Sequence, residues 1–510
     1  MSRKGELSAE DREFFEAVTL AAFCNPFSDE RAGLDRRIAQ CPADTAPDEL
    51  ARGSIEKVRE RVHRLELKGE ADLRLYAGED RYKVQTGFLF DIYYRLSERF
   101  DRLIQDQIDS GEKPCPVPFA REASAMFSER GFSIPESRRY FEIFYQMRRA
   151  SYFITHSITG LSPSIQQLRR HLWNNVFTYD ILWYERYLWN RMEDFSTLLL
   201  GETGTGKGTS AAAIGRSGFI PYDDKKGCFT ESFTRNFVAI NLSQFAESLI
   251  ESELFGHKKG AFTGAIEQHD GIFGRCTPHG AIFLDEIGEI SIPVQVKLLK
   301  VLQERTFTPV GSHQQLRFNG RVIAATNRPL DELRQKGLLR EDLYYRLCSD
   351  VIVVPSLRLR LREDPKELEV MLSHIVRGII GESSEELVRI VLEVIERELG
   401  HGYPWPGNVR ELEQAVRRIL LTRRFRIELG DSGAESGDPS LLSLSEEGTV
   451  SARKLLMKYC ALLHEKLGTY EAVSRRTGLD RRTVKKYVEQ HEQGAKLHLE
   501  PCPNVLRSQR

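Results

Sequence analysis

The sequence predicts a multidomain chain: a mostly helical N-terminal part, a central α/β part on a parallel sheet, and a C-terminal helix-turn-helix. Three observations carry this. The 510 residues are too many for one ordinary core at roughly 100–200 residues per domain. Between about Ile158 and Arg426, short runs apolar on both faces alternate with helical patterns, which is how buried parallel strands read. From about Val450 the chain turns basic and helical.

Composition narrows the class. Lys+Arg 73 against Asp+Glu 74 gives a net charge of −1, so any basic site must be local. A hydrophobic content of 41% with 29% charged residues fits a soluble globular protein. No run approaches the roughly 18 apolar residues of a spanning helix. The N-terminus turns acidic where a signal peptide needs its apolar core. Eight cysteines (24, 41, 115, 228, 276, 348, 460 and 502) form no C-x-x-C pair, which disfavours disulfide frameworks and zinc ribbons. A cytoplasmic chain is expected.

Residues 1–152 read as a helical, sensory or regulatory region. Ser8-Ala-Glu-Asp11 looks like a capping box before Phe14, Phe15, Val18, Ala21 and Ala22 on a helical period. Amphipathic runs follow at about Asp48–Leu67, Tyr82–Ile108, Pro118–Arg130 and Pro135–Phe153. No phosphoacceptor pattern or metal spacing stands out, and nothing here says what the region binds. Strands are expected at Ser196–Leu200, Phe237–Ile240, Ala281–Leu284 and Arg321–Ala325. Residues 429–448, rich in Gly, Ser, Asp and Glu, read as a linker, and residues 492–510 as a tail.

Gly201-Glu202-Thr203-Gly204-Thr205-Gly206-Lys207 lies between the first of these strands and a helix expected through Thr209–Ile214. Its glycines let backbone N–H groups face a phosphate, and the helix start adds a favourable dipole. Lys207 supplies a point charge to the terminal phosphates. Gly208 stands where a Ser or Thr is usual, with Thr209 one place later. The position after Lys207 therefore offers no hydroxyl for direct ligation of Mg²⁺.

The strand at Ala281–Leu284 runs into Asp285 and Glu286. Asp285 at a strand's carboxyl end suits Mg²⁺, and Glu286 suits polarisation of an attacking water. Helix capping would also explain either carboxylate alone. A third strand ends in Thr326-Asn327, where the amide of Asn327 can sense a γ-phosphate, although Asn before Arg-Pro is also ordinary turn chemistry.

At this point the chain resembles the AAA+ domain of bacterial enhancer-binding proteins, the activators of sigma-54 RNA polymerase. The string Glu253-Leu-Phe-Gly-His-Lys-Lys-Gly260-Ala261-Phe262-Thr263-Gly264-Ala265 carries the family's surface-loop signature. The likeness runs from about Ile158 to Arg426 and includes Phe283–Glu289, Lys297–Gln303 and Trp405–Leu412. It implies an ATPase at 153–428 with a helical lid and ATP and Mg²⁺ as cofactors. It also implies a homo-oligomeric ring, expected to be hexameric, whose loop 260–265 contacts the sigma factor. Asn241 would restrain Glu286 as a switch, Arg340 and Arg346 would reach a neighbour's nucleotide, and Arg410 would act as second sensor. Guanidinium forks suit those phosphate oxygens; surface ion pairs with Glu341 or Glu411 are the plainer alternative. The chain departs from the pattern at Gly208, in the aromatic segment 170–195, in an expanded stretch 215–236, and at Leu357–Arg362.

Residues 451–490 hold ten Lys/Arg against four acids, a local excess that suits phosphate. A helix at about 451–467, then Thr469–Gly478 and Arg481–Val488, give helix-turn-helix punctuation with Gly478 at the turn and Asp480 as cap. Val484 and Val488 would face inward, leaving Arg481, Arg482, Thr483, Lys485 and Lys486 for DNA. This part, 449–491, resembles the Fis-like module ending enhancer-binding proteins. The reading is a DNA-bound ATPase that remodels sigma-54 polymerase; the alternatives are a remodelling motor or a nucleotide-switched repressor.

Overall fold

The computed structural model describes residues 6–42, 45–400, 402–425 and 452–496. The linker 429–448 and residues 497–510 lie outside them. The chain divides into two compact units, 1–425 and 426–510.

Seven helices open the first unit: α1 (Ala9–Phe23), α2 (Asp29–Ala39), α3 (Pro47–Leu67), α4 (Gly78–Ser110), α5 (Ala120–Glu129), α6 (Ile134–Ser157) and α7 (Pro163–Phe177). Each expected amphipathic run forms one. At Ser8 the hydroxyl accepts from the Asp11 amide at 3.1 Å, but Asp11 returns to the hydroxyl rather than to the backbone. The reciprocal capping box sits instead at Ser133 and Glu136, opening α6.

Five parallel strands follow: β1 (Thr197–Leu200), β2 (Phe237–Asn241), β3 (Ala281–Asp285), β4 (Arg321–Thr326) and β5 (Asp350–Val353), in the order β2-β3-β4-β1-β5. Strand periodicity of two splits them between two cores. Leu198, Ile282, Leu284, Val322 and Ala324 join one made with the helix Ile292–Glu304 and its neighbours. Leu199, Phe283, Ile323 and Ala325 join the other, which is continuous with Phe15, Phe88, Phe100 and Phe144 of the N-terminal helices. Each such Leu, Ile, Val or Phe contributes ~1.5–3 kcal/mol when fully buried, so the N-terminal helices and the sheet stabilise one another. Helix α6 runs unbroken through residues 152 and 153.

Two of the stretches that depart from the resembled pattern, 170–195 and 215–236, form this junction. Residues 215–236 fold a small hairpin, Tyr222–Asp223 against Cys228–Phe229, whose Phe229 ring lies 3.9 Å from that of Tyr145 on α6. Within 170–195, Trp173 and Tyr184 are buried, and Trp189 packs edge-on to Phe219 at 4.8 Å. Arg149 of α6, wholly buried, donates to the carbonyls of Arg216 at 2.7 Å and Gly218 at 2.6 Å. With Gln146 bonding Ser217 O at 3.0 Å, it caps the carboxyl end of the helix Lys207–Gly215.

Helices Leu357–Glu363, Glu367–Ile380, Glu385–Leu399 and Asn408–Thr422 close a third core around Leu372, Val391, Trp405 and Leu412. The second unit, described by itself, holds helices Ala452–Leu467, Tyr470–Thr477 and Arg481–Lys496. Its core gathers Cys460, Val473, Val484 and Val488. Gly478 takes φ 72°, and Asp480 accepts from the Arg482 amide at 2.8 Å.

Candidate functional site: a phosphate loop under a helical lid

The phosphate loop joins β1 to the helix Lys207–Gly215. Gly204 and Gly206 take φ 78° and 100°, a left-handed backbone that favours glycine. A Cβ at Gly204 would meet the Gly407 carbonyl oxygen at 2.1 Å, so loop and lid touch backbone to backbone. Lys207, 6% exposed, folds onto the carbonyls of Gly201 at 2.8 Å and Glu202 at 3.1 Å. Burial lowers its pKa, against the pull of Glu286 and Asp285. Gly208 and Thr209 are exposed, and the Thr205 hydroxyl donates to Glu202 O at 2.9 Å.

Two strands away, β3 brings up the carboxylates. Burial raises the pKa of both Asp285 and Glu286, with the charge of Lys207 working the other way. Asn241 reaches Asp285 Oδ2 at 3.4 Å, not Glu286 as expected. The reason is register: Asn241 pairs directly with Asp285 across β2 and β3. Glu286 instead takes a left-handed backbone, φ 57°, and accepts from the Asn327 amide at 3.2 Å. The Asn327 side chain goes on to Thr203 Oγ1 at 3.1 Å, so the end of β4 links the carboxylate to the loop.

The lid grips the loop from above. Buried Asn408, φ 53°, donates to Thr203 O at 3.0 Å and Glu202 Oε2 at 3.2 Å, and accepts from Leu357 N at 2.8 Å. The Val409 amide donates to Gly204 O at 3.0 Å. Arg358 forks onto Glu202, one arm at 2.6 Å. Arg410 lies near enough for its charge to oppose that of Lys207 and favour ionised Asp285. A cavity of about 330 Å³ adjoins Thr205, Gly206 and Thr209 and is walled by Ile158, Met371 and His374, room for a small ligand beside a phosphate. No motif announces Met371 or His374, and although Ile158 and Asn408 fall within the stretches that carry the resemblance, only the fold brings them to this site.

The remaining predicted residues of the first unit make no hydrogen bond to the loop. Arg340 pairs with Asp342 at 2.7 and 3.0 Å, and Arg346 is exposed on the helix Glu341–Leu347. Among the described residues neither guanidinium bonds the phosphate loop. Glu341 pairs with Arg334, and Glu411 bonds Tyr403 and the Gly407 amide. The turn Gly260–Ala265 closes on itself by a 2.8 Å Gly260 N to Ala265 O bond. Ala261, Thr263 and Gly264 lie along it, Ala265 is buried, and Phe262 is 38% exposed with its ring 4.9 Å from that of His257. In the second unit, Arg481, Arg482, Lys485 and Lys486 are exposed and Thr483 half-buried; Arg481 pairs with Glu471 at 2.7 Å.

This sheet order, a glycine loop opening a helix, paired carboxylates on a neighbouring strand and a helical lid together define a domain of the AAA+ class. Residues 186–353 match the family described as the sigma-54 interaction domain. The chain is 44% identical to the Nif-specific regulatory protein of Azotobacter vinelandii over 226 residues, 44% of this chain and 40% of that one. It is 36% identical to the sigma54-dependent transcriptional regulator SfnR of Pseudomonas fluorescens (strain Pf0-1) over 288 residues, 53% of this chain and 72% of that one. Against the DNA-binding transcriptional regulator NtrC of Rhizobium meliloti (strain 1021) the identity is 38% over 276 residues, covering 50% and 52%. The chain spans about half the length of several such relatives. It belongs to the sigma-54-dependent transcriptional regulators.

Proposed function

We propose that the chain is an ATPase that assembles into a ring, binds enhancer-like DNA and remodels sigma-54 RNA polymerase to activate transcription. The observation that carries this is the pairing, in one domain, of a buried Lys207 facing half-buried Asp285 and Glu286 with a largely exposed Gly260–Ala265 turn that makes no bond to them. Residues 153–428 form the motor, 449–491 the Fis-like DNA reader and 1–152 a regulatory region. The loop 201–209 holds ATP, with Arg410 at its phosphates. Asp285 is the residue to hold Mg²⁺, which would neutralise phosphate charge; a half-buried carboxylate facing Lys207 suits that ion. Glu286 orients the attacking water, Asn327 and Asn241 tune the two carboxylates, and Arg340 and Arg346 serve the neighbouring subunit's nucleotide. No described helix is long and apolar enough to cross a membrane, in keeping with a cytoplasmic role.

Thr263→Ala tests the reading. Thr263 makes no part of the phosphate site, so the variant should retain ATPase activity and DNA binding yet fail to open a sigma-54 promoter. The comparison is made on an oligomer shown intact by gel filtration. Normal open-complex formation by that oligomer would overturn the assignment.

A further inference from the structure

The aromatic segment 170–195 and the expanded stretch 215–236 meet at a cleft that the nucleotide chemistry does not use. Trp189 and Glu193 from the first and Phe219 and Pro221 from the second wall a space of about 360 Å³. Pro278 and His279, just before β3, and Arg321, opening β4, close it. The cleft is larger than the 330 Å³ cavity beside the phosphate loop and within the ~300–1,000 Å³ of ordinary small-molecule sites. It lies at the amino ends of β3 and β4, whereas the phosphate loop leaves the carboxyl end of β1. The strands run parallel, so the two sites sit at opposite ends of the sheet.

One wall is aromatic. The rings of Trp189 and Phe219 meet edge-on at 4.8 Å and 65°, with the apolar rings of Pro221 and Pro278 in the same lining. Trp189 already carries the Arg139 guanidinium 5.3 Å from its ring centroid, the electrostatic attraction of a cation for an indole.

The charges around this wall pair off until one is left. Arg139 faces Glu185 at 3.5 Å, and Arg305 faces Asp194 at 3.1 Å. Arg321 donates to Phe195 O at 2.9 Å, Asn175 O at 3.1 Å, Asn175 Oδ1 at 2.9 Å and Thr197 Oγ1 at 3.1 Å, and Asp350 answers its charge. The half-buried Glu193 carboxylate pairs with no cation among the described residues; its backbone carbonyl takes Arg305 instead. The side chains of Asn190 and His279, in the same lining, bond no described residue either. An anionic guest would therefore meet Glu193 with the guanidinium of the wall already engaged. A cationic guest would find an unpaired carboxylate beside aromatic faces, the combination that recognises organic ammonium groups.

We propose that this cleft binds a small organic cation carrying an aromatic ring, an arylalkylamine in its ammonium form, with the ring against Trp189 and Phe219 and the ammonium at Glu193. The site stands independently of the ATPase reading.

The test uses the full chain labelled with 5-fluorotryptophan and phenethylammonium as probe. The chain has four tryptophans, and the Trp189 signal is the one lost in Trp189→Phe. Phenethylammonium should shift that signal saturably and leave the other three in place. Phenylacetate, of opposite charge, and 2-phenylethanol, uncharged, should each bind at least tenfold more weakly. Glu193→Gln, folded by circular dichroism, should weaken phenethylammonium at least tenfold and abolish its advantage over 2-phenylethanol. Fluorescent ADP should stay bound at saturating phenethylammonium, because the two sites lie at opposite ends of the sheet. An unsaturable shift, a shift shared by all four tryptophans, equal binding of phenylacetate or 2-phenylethanol, or unchanged affinity in Glu193→Gln would overturn the site. Displacement of ADP would place the amine in the nucleotide cavity and overturn it as well. A chain that bound no ADP would count against the ATPase reading alone, with the cleft still decided by Trp189.

Discussion

Glu286 keeps its carboxylate half-buried beside Asp285 and in a backbone conformation few residues adopt. Burial raises its pKa, so ionisation costs the folded state more than the unfolded chain. That cost is fully present above the folded pKa and vanishes below the unfolded one. Glu286→Gln should therefore melt ~1–2 °C higher than the parent near pH 8, and the gap should close near pH 4; calorimetry at the two values reads it. The same substitution should bind ATP and fail to hydrolyse it, whereas Lys207→Ala should lose binding itself. By the same shift, the acid limb of the ATPase profile should fall above the ordinary glutamate value of 4.5, because in the proposed role the carboxylate would have to be ionised to orient water.

Among elements, the phosphate loop and lid meet so closely that a methyl group matters. Gly204→Ala would press a Cβ into the Gly407 carbonyl and strain a left-handed backbone, costing ~1–3 kcal/mol. ATP affinity should fall tenfold or more, read by fluorescent-nucleotide titration, while Gly208→Ala, with open space at its Cβ beyond Phe283 at 3.8 Å, should be nearly neutral. The loop itself is legible in the sequence because glycine spacing and apolar runs are local signals. Strand β5 is not: Asp350, Val351 and Val353 are exposed and only Ile352 is buried, so an edge strand lacks the doubly apolar run that marks its neighbours. Asn408 lies in the quoted Trp405–Leu412 string, but its contacts are hidden for another reason. Its partners Glu202, Thr203 and Leu357 are brought together only by tertiary folding. The switch partner of Asn241 depended on strand register, which no motif encodes.

At the scale of the whole chain, the N-terminal helices share a core with one face of the sheet. The aromatic segment and the expanded stretch, odd when read as departures from a pattern, are the surfaces that receive them. A chain lacking residues 1–152 would uncover Tyr222 and Phe229, both buried in the intact fold against Phe141 and Tyr145 of α6. Gel filtration and circular dichroism should find that truncation aggregated or unfolded, not an isolated active motor. A monodisperse, folded 153–510 protein with parental ATPase activity would contradict the shared core. Arg149, whose pKa burial pushes down to about 10, is the largest fully buried side chain at this seam.

The Arg340–Asp342 pair has a consequence for assembly. Within one subunit the guanidinium already has an anion, held in a forked pair on a partly exposed surface. Such a contact is worth little in water, so it is a resting place more than a bond. A neighbour's triphosphate, with several negative charges, can take the arginine over, and each subunit would then exchange an internal partner for an external one on joining the ring. In the proposed ring, nucleotide would then be part of the adhesive between protomers. Asp342→Asn, which empties the resting place, should let rings form at lower ATP concentration, as light scattering against nucleotide would record.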